Sequence, residues 1–531
     1  MAAMLSISPE SYWTSFEVKD DDIDFIINLL LEREVPLTSD EMASALVELR
    51  LAQLEKEAQE AKQTEHAIYL PAETYKVGQT LTFAELGFTA GEIVGVREGN
   101  NPDLDSFSVI KVAFAGEGRE REFASELADH ALNNPPEPEP ELEELRKPET
   151  IMLRFGEIII ARLDESLDSV GDIVRIAGKW FPSALLAEIT DGHLNLAEAV
   201  LDVEAGGPLP TMDLLEHVEL PASLSQQLAE FSLDYALQED ERFDEVGPAG
   251  QVLWFLRRLE PPEVLFAPPR LEIQEKALDS STLTDDLQEL ISRLDDEMSD
   301  LQAPEVTPDD VTVTLIFPHW RVGTLPLSAR LEHLFPTAYE SPRIRFILVD
   351  GHSGKRFPGW VVREHGYVFG LGDWYREYKV PAGGLVRVHP GDAPGEVVVE
   401  TFDRRMRNDW IRTVTIAENG QIGFTMLKQP VGTAYNDLMV IGLIDTQALD
   451  EVWMQMQHKK ISLDRTVAHV FRELAKLTPQ SAVHAQTLYA AVNVIQRQPP
   501  STIFAELVKR PYFQHVGDLY WRFDSEAWSS S

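Results

Sequence analysis

The residues best placed to do chemistry in this chain are cations set among aromatic side chains, not a catalytic motif. Gly351-His352-Ser353-Gly354 lacks the spacing of the Gly-x-Ser-x-Gly turn that presents a nucleophilic serine. Gly354-Lys355 lacks the upstream glycine of a phosphate-cradling loop, and Arg356 stands where such a loop needs Ser or Thr for magnesium. The 13 His are scattered without metal-ligand spacing, and with 0 Cys there is no thiolate nucleophile, Cys-ligated zinc or disulfide. Acidic pairs abound, but 89 Asp and Glu make them inevitable. No catalytic residue, metal ligand or cofactor is assigned, and a non-enzymatic protein is expected.

Two cationic groups remain. Residues 458–523 hold nine Lys and Arg against four Asp and Glu. Within them Lys459, Lys460, Arg497, Lys509, Arg510, Gln514, His515 and Arg522 are the nucleic-acid-binding candidates, because phosphate neutralisation by Lys and Arg supplies most non-specific affinity. Residues 343–412 carry 12 cations against nine anions, with Trp360, Tyr367, Phe369, Trp374, Tyr375 and Tyr378 interleaved. A second surface is read there from Arg343, Arg345, Lys355, Arg356, Trp374, Arg376, Arg404 and Arg405. Such a mixture stacks and neutralises single strands. The plainer reading is core aromatics beneath a solvated, mixed-charge face.

The elements that position the first group are legible. Val467, Val470, Phe471 and Leu474 give a helix over 463–477, ended by Thr478-Pro479. Leu488, Val492 and Ile495 give a second helix, over 484–498. Pro499-Pro500 stops it and starts a third over 501–509. Two aromatic strands about a Gly517-Asp518 turn close the segment, with Lys509 and Arg510 beside them. Three helices and a hairpin predict a winged helix-turn-helix. A second instance is predicted with helices over 194–203, 212–218 and 225–237 and a hairpin over 243–256.

Phe513-x-x-Val516-Gly517 with Trp521-x-Phe523, and Phe243-x-x-Val246-Gly247 with Trp254-x-Leu256, resemble the wing of HARE-HTH winged helices. That family includes the delta subunit of bacterial RNA polymerase and modules of chromatin and restriction proteins. The resemblance covers about a third of the chain. It implies association with DNA or with the transcription apparatus and carries over no catalytic residue. The Gly-to-Trp gap differs between the two instances, and the acidity here is spread over folded segments rather than a tail.

The expected fold is multidomain α+β, with tandem winged-helix modules alternating with small β-barrel or sandwich modules. The boundaries read as follows: 16–66 a helical, winged-helix-like segment, with a plain helical hairpin as the alternative; 67–133 a small β-module; 134–150 a Pro/Glu linker too polar to pack. Then come 151–192 as a second β-module with Ile158-Ile159-Ile160 as a strand, 193–260 as a winged helix, and 261–310 as linkers around an acidic helix over 281–301. A large β-rich domain fills 311–440, a connecting helix 441–460 and the last winged helix 461–526.

Charge divides the chain. Residues 1–310 hold 22 Lys and Arg against 67 Asp and Glu, a net −45, whereas 311–531 hold 24 against 22. The acidic part is repelled by phosphate backbones and suits a basic protein surface; acidity also simply keeps a large chain dissolved. No apolar run of membrane-spanning length and no leader peptide is read, so a cytoplasmic protein with no membrane partner is expected. Two readings follow: a regulator that docks on DNA or a DNA-bound complex through the C-terminal unit, and a protein-interaction scaffold. An enzyme with a dispersed site is a third. Oligomeric state is not legible.

Overall fold

The computed structural model describes residues 9–63, 67–83, 86, 89–101, 106–114, 120–133, 147–221, 223–273, 280–299, 308–338, 341–418, 420–459 and 461–529. They form two compact units, Met1–Ala187 and Glu188–Ser531, in a mixed α+β fold with several separate sheets.

In the first unit α1 (Pro9–Thr14) and α2 (Asp20–Arg33) lead through β1 (Leu37–Thr38) into α3 (Ser39–Gln63). The acids at the start of α2 complement its dipole, and one of them, Asp22, takes the Arg50 guanidinium in a buried pair. The chain next builds a sheet from β2 (Ala67–Ile68), β3 (Thr80–Phe83), β4 (Thr89–Glu98), β5 (Ser108–Phe114) and β6 (Glu120–Ser125), in that order. Only β2–β3 is parallel. Leu81, Phe83, Ile93, Ile110, Val112 and Phe114 fill its core. The chain returns as α4 (Pro148–Leu167) and the hairpin β7 (Ile173–Ile176), β8 (Lys179–Pro182), and β1 adds to β8.

Helix α4 corrects the expectation of a β-module over 151–192. Ile151, Ile159, Leu163 and Leu167 are buried at helical intervals, and Pro148 sits at the first helical position, where its missing N–H costs nothing. Tertiary burial at a 3.6-residue period overrides the β-branched run Ile158–Ile160. The segments expected as separate modules, 16–66 and 151–192, share one core built on Trp13, Ile26, Leu30, Leu46, Leu163 and Trp180. The Pro/Glu stretch 134–146 lies outside the described residues.

The second unit opens with α5 (Asp191–Val203), β9 (Leu209–Pro210), α6 (Thr211–Leu215), α7 (Gln226–Glu239) and the hairpin β10 (Phe243–Glu245), β11 (Leu253–Leu256). A strap follows, holding α8 (Pro262–Leu265) and α9 (Asp285–Ser292). α9 is far shorter than the acidic helix expected over 281–301.

A seven-stranded sheet comes next: β12 (Val311–Thr314), β13 (Thr324–Pro326), β14 (Arg343–Asp350), β15 (Arg356–Val362), β16 (Tyr367–Phe369), β17 (Leu385–Pro390) and β18 (Glu396–Thr401), in the order 12-17-18-14-15-16-13. β14 and β18 run parallel. Two short helices, α10 (Phe317–Val322) and α11 (Gly372–Glu377), interrupt it. β14 alternates buried and part-exposed residues, the mark of a half-buried strand. A long hairpin, β19 (Asp403–Ile416) and β20 (Ile422–Thr433), leads to α12 (Thr446–Lys459), which starts later than the expected connecting helix. The last segment is α13 (Leu463–Ala475), β21 (Ala482–His484), α14 (Ala485–Ile495), α15 (Pro500–Lys509), β22 (Phe513–Gly517), β23 (Tyr520–Phe523) and α16 (Ser525–Ser529).

One order of elements thus occurs three times: helix, short strand, helix, helix, hairpin. Each time the short strand joins the second strand of the hairpin, giving the sheets β1-β8-β7, β9-β11-β10 and β21-β23-β22. The first repeat is split by the five-stranded sheet, inserted between its second and third helices.

Candidate functional site

The C-terminal cations are held in three ways. α15 ends at Lys509, which is exposed. Arg510 follows, its Nε 2.7 Å from Glu506 Oε2, and that hydrogen bond raises the guanidinium pKa. In the hairpin, Gln514 and Arg522 are cross-strand partners and both are exposed. Gln514 donates to Asp524 Oδ2 at 2.9 Å, and the exposed His515 ring lies 5.0 Å from Trp521. The turn has positive φ at Gly517, Asp518 and Leu519, the backbone sign a tight two-residue hairpin connection needs. Lys509, Gln514, His515 and Arg522 are therefore all exposed, with Gln514 and Arg522 on one face of the hairpin and His515, beside Trp521, on the other.

Arg497 does not belong with them. Its side chain is 1% exposed and lies 2.9 Å from Asp296 Oδ1 and 2.6 Å from Glu297 Oε1. A guanidinium so enclosed cannot meet phosphate, and this corrects its assignment as a nucleic-acid contact. Lys459 is the last residue of α12, its side chain outside the described residues, and Lys460 is outside them altogether.

The third helix of this repeat is covered as well. Every residue from Pro500 to Ala505 is buried, and so is Leu507. Besides the other elements of its own repeat, α9 packs on it, with Leu287, Leu290 and Ile291 joining Ile503, Phe504 and Leu507 in one core. Beyond α9, Asp296 accepts the Tyr489 hydroxyl and pairs with Arg497. Glu297 receives both Arg497 and His319 Nε2, the latter at 2.9 Å, and His319 Nδ1 lies 2.8 Å from Thr324 Oγ1. Burial alone would raise the Glu297 pKa, yet Arg497 and His319 hold it well below the usual carboxylate range. The basic count of the segment was legible in sequence; its use inside a buried network was not.

The second candidate surface is not one face. Arg343 pairs with Asp244 and stands 3.6 Å from Glu260, and the Arg345 guanidinium lies 5.6 Å from the Phe255 ring centroid. Burial lowers the Arg345 pKa. With Arg345 N bonded to Val246 O at 2.8 Å, both arginines fix the hairpin β10–β11 to the seven-stranded sheet. Trp374 is buried and donates to Asp350 Oδ1 at 3.3 Å. Arg343, Arg345 and Trp374 are thus corrected from surface to internal roles. Lys355, Arg356 and Arg376 are exposed and paired with Glu377, Glu396 and Asp373. The Arg404 and Arg405 side chains lie outside the described residues.

The Gly-His-Ser-Gly turn is accounted for by Asp350. The Ser353 hydroxyl donates to it, as does Tyr378 OH at 2.6 Å, while His352 Nε2 lies 2.9 Å from Thr401 O. Burial opposes ionisation of Asp350, but these hydroxyls hold its pKa below the usual range. The serine is committed to a turn rather than to a histidine base.

One signal was missed in sequence. The apolar residue of each short strand faces a tryptophan on the hairpin: Leu37 and Trp180, Leu209 and Trp254, Val483 and Trp521. In the first repeat Trp180 Nε1 donates to Ser39 Oγ at 3.0 Å, and Ser39 to Asp164 Oδ1 at 2.6 Å. In the second, Trp254 Nε1 reaches Thr211 Oγ1 at 3.2 Å and Asp234 Oδ1 at 2.8 Å. In the third, Ala485 takes the hydroxyl's place and Trp521 Nε1 is buried without a hydrogen-bond partner.

Among the described residues no group of His, Asp and Glu is arranged to hold a metal ion, and no helix is long and apolar enough to cross a membrane. No protein-family model, curated protein or solved structure matches this chain.

Proposed function

We propose that the three repeats are winged-helix modules and that the chain is a non-enzymatic docking protein, used as a protein-interaction scaffold. The observation that carries this reading is a mismatch of charge and access. A winged helix that reads DNA lays its third helix in the major groove, backed by cations. Here α15 has the basic surroundings, but Pro500–Ala505 and Leu507 are buried between its own repeat and α9. α7 has exposed residues, yet Gln226–Glu239 contains no Lys or Arg. α4 bears two Arg against four Asp and Glu. No repeat joins an open third helix to positive charge. The acidity of residues 1–310 favours a basic protein surface as one partner.

The exposed group Lys509, Gln514, His515 and Arg522 favours a second reading, in which the hairpin of the last repeat meets DNA or a DNA-bound complex. One experiment separates the two. The full chain is titrated with a duplex of about 20 base pairs at about 50 and 200 mM salt. The scaffold reading expects only weak binding at the higher salt, in the range of about 10⁻⁴ M or weaker. Tight, salt-steep binding abolished by Lys509→Glu with Arg522→Glu replaces it with the DNA reading.

A further inference from the structure

A large cleft of the second unit lies away from the hairpin of the last repeat. It is a cleft of about 1830 Å³ between the strap Pro261–Arg270, the α11 region, the hairpin β19–β20 and α12. Pockets for small ligands usually measure about 300–1,000 Å³, so this one has room for a stretch of polypeptide. Its walls carry the part-exposed Trp320 and Trp453, and tryptophan is among the residue types enriched where proteins meet; the buried Trp360 and Trp374 lie beneath its floor. At its lip Phe266 is 73% and Met454 53% exposed, and large apolar side chains left this open mark binding surfaces.

Charge narrows the occupant. The chain as a whole carries −43, yet the cleft is lined by five cations against four anions. Arg270 is buried, its guanidinium 4.2 Å from the Trp453 ring centroid and 2.5 Å from Asp450 Oδ1. Arg321 contacts the other oxygen of the same carboxylate at 2.5 Å. One carboxylate thus serves two guanidiniums, and a net positive charge is left beside Trp453. Elsewhere on the lining, Lys355 and Arg376 have Glu377 and Asp373 as partners, and exposed Lys379 adds a further cation. Fixed positive charge around aromatic walls complements a segment with apolar anchors flanked by acids. A single nucleic-acid strand fits less well, because it brings a negative charge on every nucleotide, whereas Glu263, Asp373, Glu377 and Asp450 leave the lining a surplus of one cation, enough for a segment with few acids.

We propose that this cleft is a docking site for an extended, acidic and apolar segment of a partner protein. The test uses the full chain and a displayed library of random twelve-residue peptides. Enriched peptides should combine Asp or Glu with aromatic or branched aliphatic residues. Their affinity should fall about tenfold or more in Phe266→Ser with Met454→Ser, and again in Lys355→Glu with Lys379→Glu. These positions are exposed, so the variants should keep the parent's circular dichroism. Lys509→Glu with Arg522→Glu should leave peptide affinity unchanged, which keeps this result separate from that of the DNA titration. The proposal is overturned if no peptide is enriched, if enriched peptides lack acids, or if the cleft variants bind them as the parent does. It is also overturned if a twenty-nucleotide deoxythymidine strand binds and is the ligand those variants weaken.

Discussion

The second and third repeats use opposite faces to hold themselves in the same unit. The second is tied down by its hairpin, through Arg343 to Asp244 and the backbone of Arg345 to Val246, and both ends of its third helix face water. The third is tied down by its third helix and by Arg497, and its hairpin faces water. One order of elements therefore offers two different free surfaces. The difference teaches that a repeat's topology does not say which face is available; the neighbouring chain does.

The comparison is broken most severely by Arg497→Met. That change leaves Asp296 and Glu297 buried beside one cation fewer, and urea unfolding followed by tryptophan fluorescence should show a loss of about 3–5 kcal/mol. Thr211→Val removes the hydroxyl that links Asp234 and Trp254 in the second repeat, and should cost about 1–3 kcal/mol. Ala485→Ser restores in the third repeat the hydroxyl that the others have. It gives Trp521 Nε1 an acceptor and should stabilise by about 0.5–1.5 kcal/mol. A loss instead would mean that the third repeat has repacked around the alanine.

The tie of the second repeat is also sensitive to pH. Burial and the neighbouring Asp244 push the Glu260 carboxyl up to about 8, with Arg343 opposing the shift. The folded chain then holds a proton that the unfolded chain releases near the ordinary glutamate value, so this group's contribution is fully present at low pH and fades as pH rises toward 8. Glu260→Gln should flatten that part of the stability profile, measured as urea midpoint against pH. Lys509→Glu, on the free hairpin side, should change stability by no more than about 0.5 kcal/mol.

Much of this was legible from periodicity. The helices and hairpin of the last repeat follow from Val467, Phe471, Leu488, Val492 and the Gly517-Asp518 turn, and fall within a few residues of their expected bounds. α4 was hidden because three consecutive isoleucines look like a strand, and only its packing partners fix the helical period. The first repeat was hidden because a whole sheet interrupts it, which parts Leu37 from Trp180. The cover on α15 had no local signal. Ser501 and Thr502 look like surface positions, yet both are buried. Nor does an arginine reveal in sequence whether it meets a phosphate or, as Arg497 does, two carboxylates of its own chain.

The chain has no cysteine, so a single introduced thiol reports on one place only. The covered third helix is tested by placing Cys at Ser501, and separately at the exposed Gln227 of α7, and timing the reaction of each native protein with a thiol reagent. Ser501→Cys should react on the order of a hundredfold more slowly than Gln227→Cys, because it must wait for the packing around α15 to open. Equal rates would mean that α15 stands open, and the DNA-reading face would be available after all.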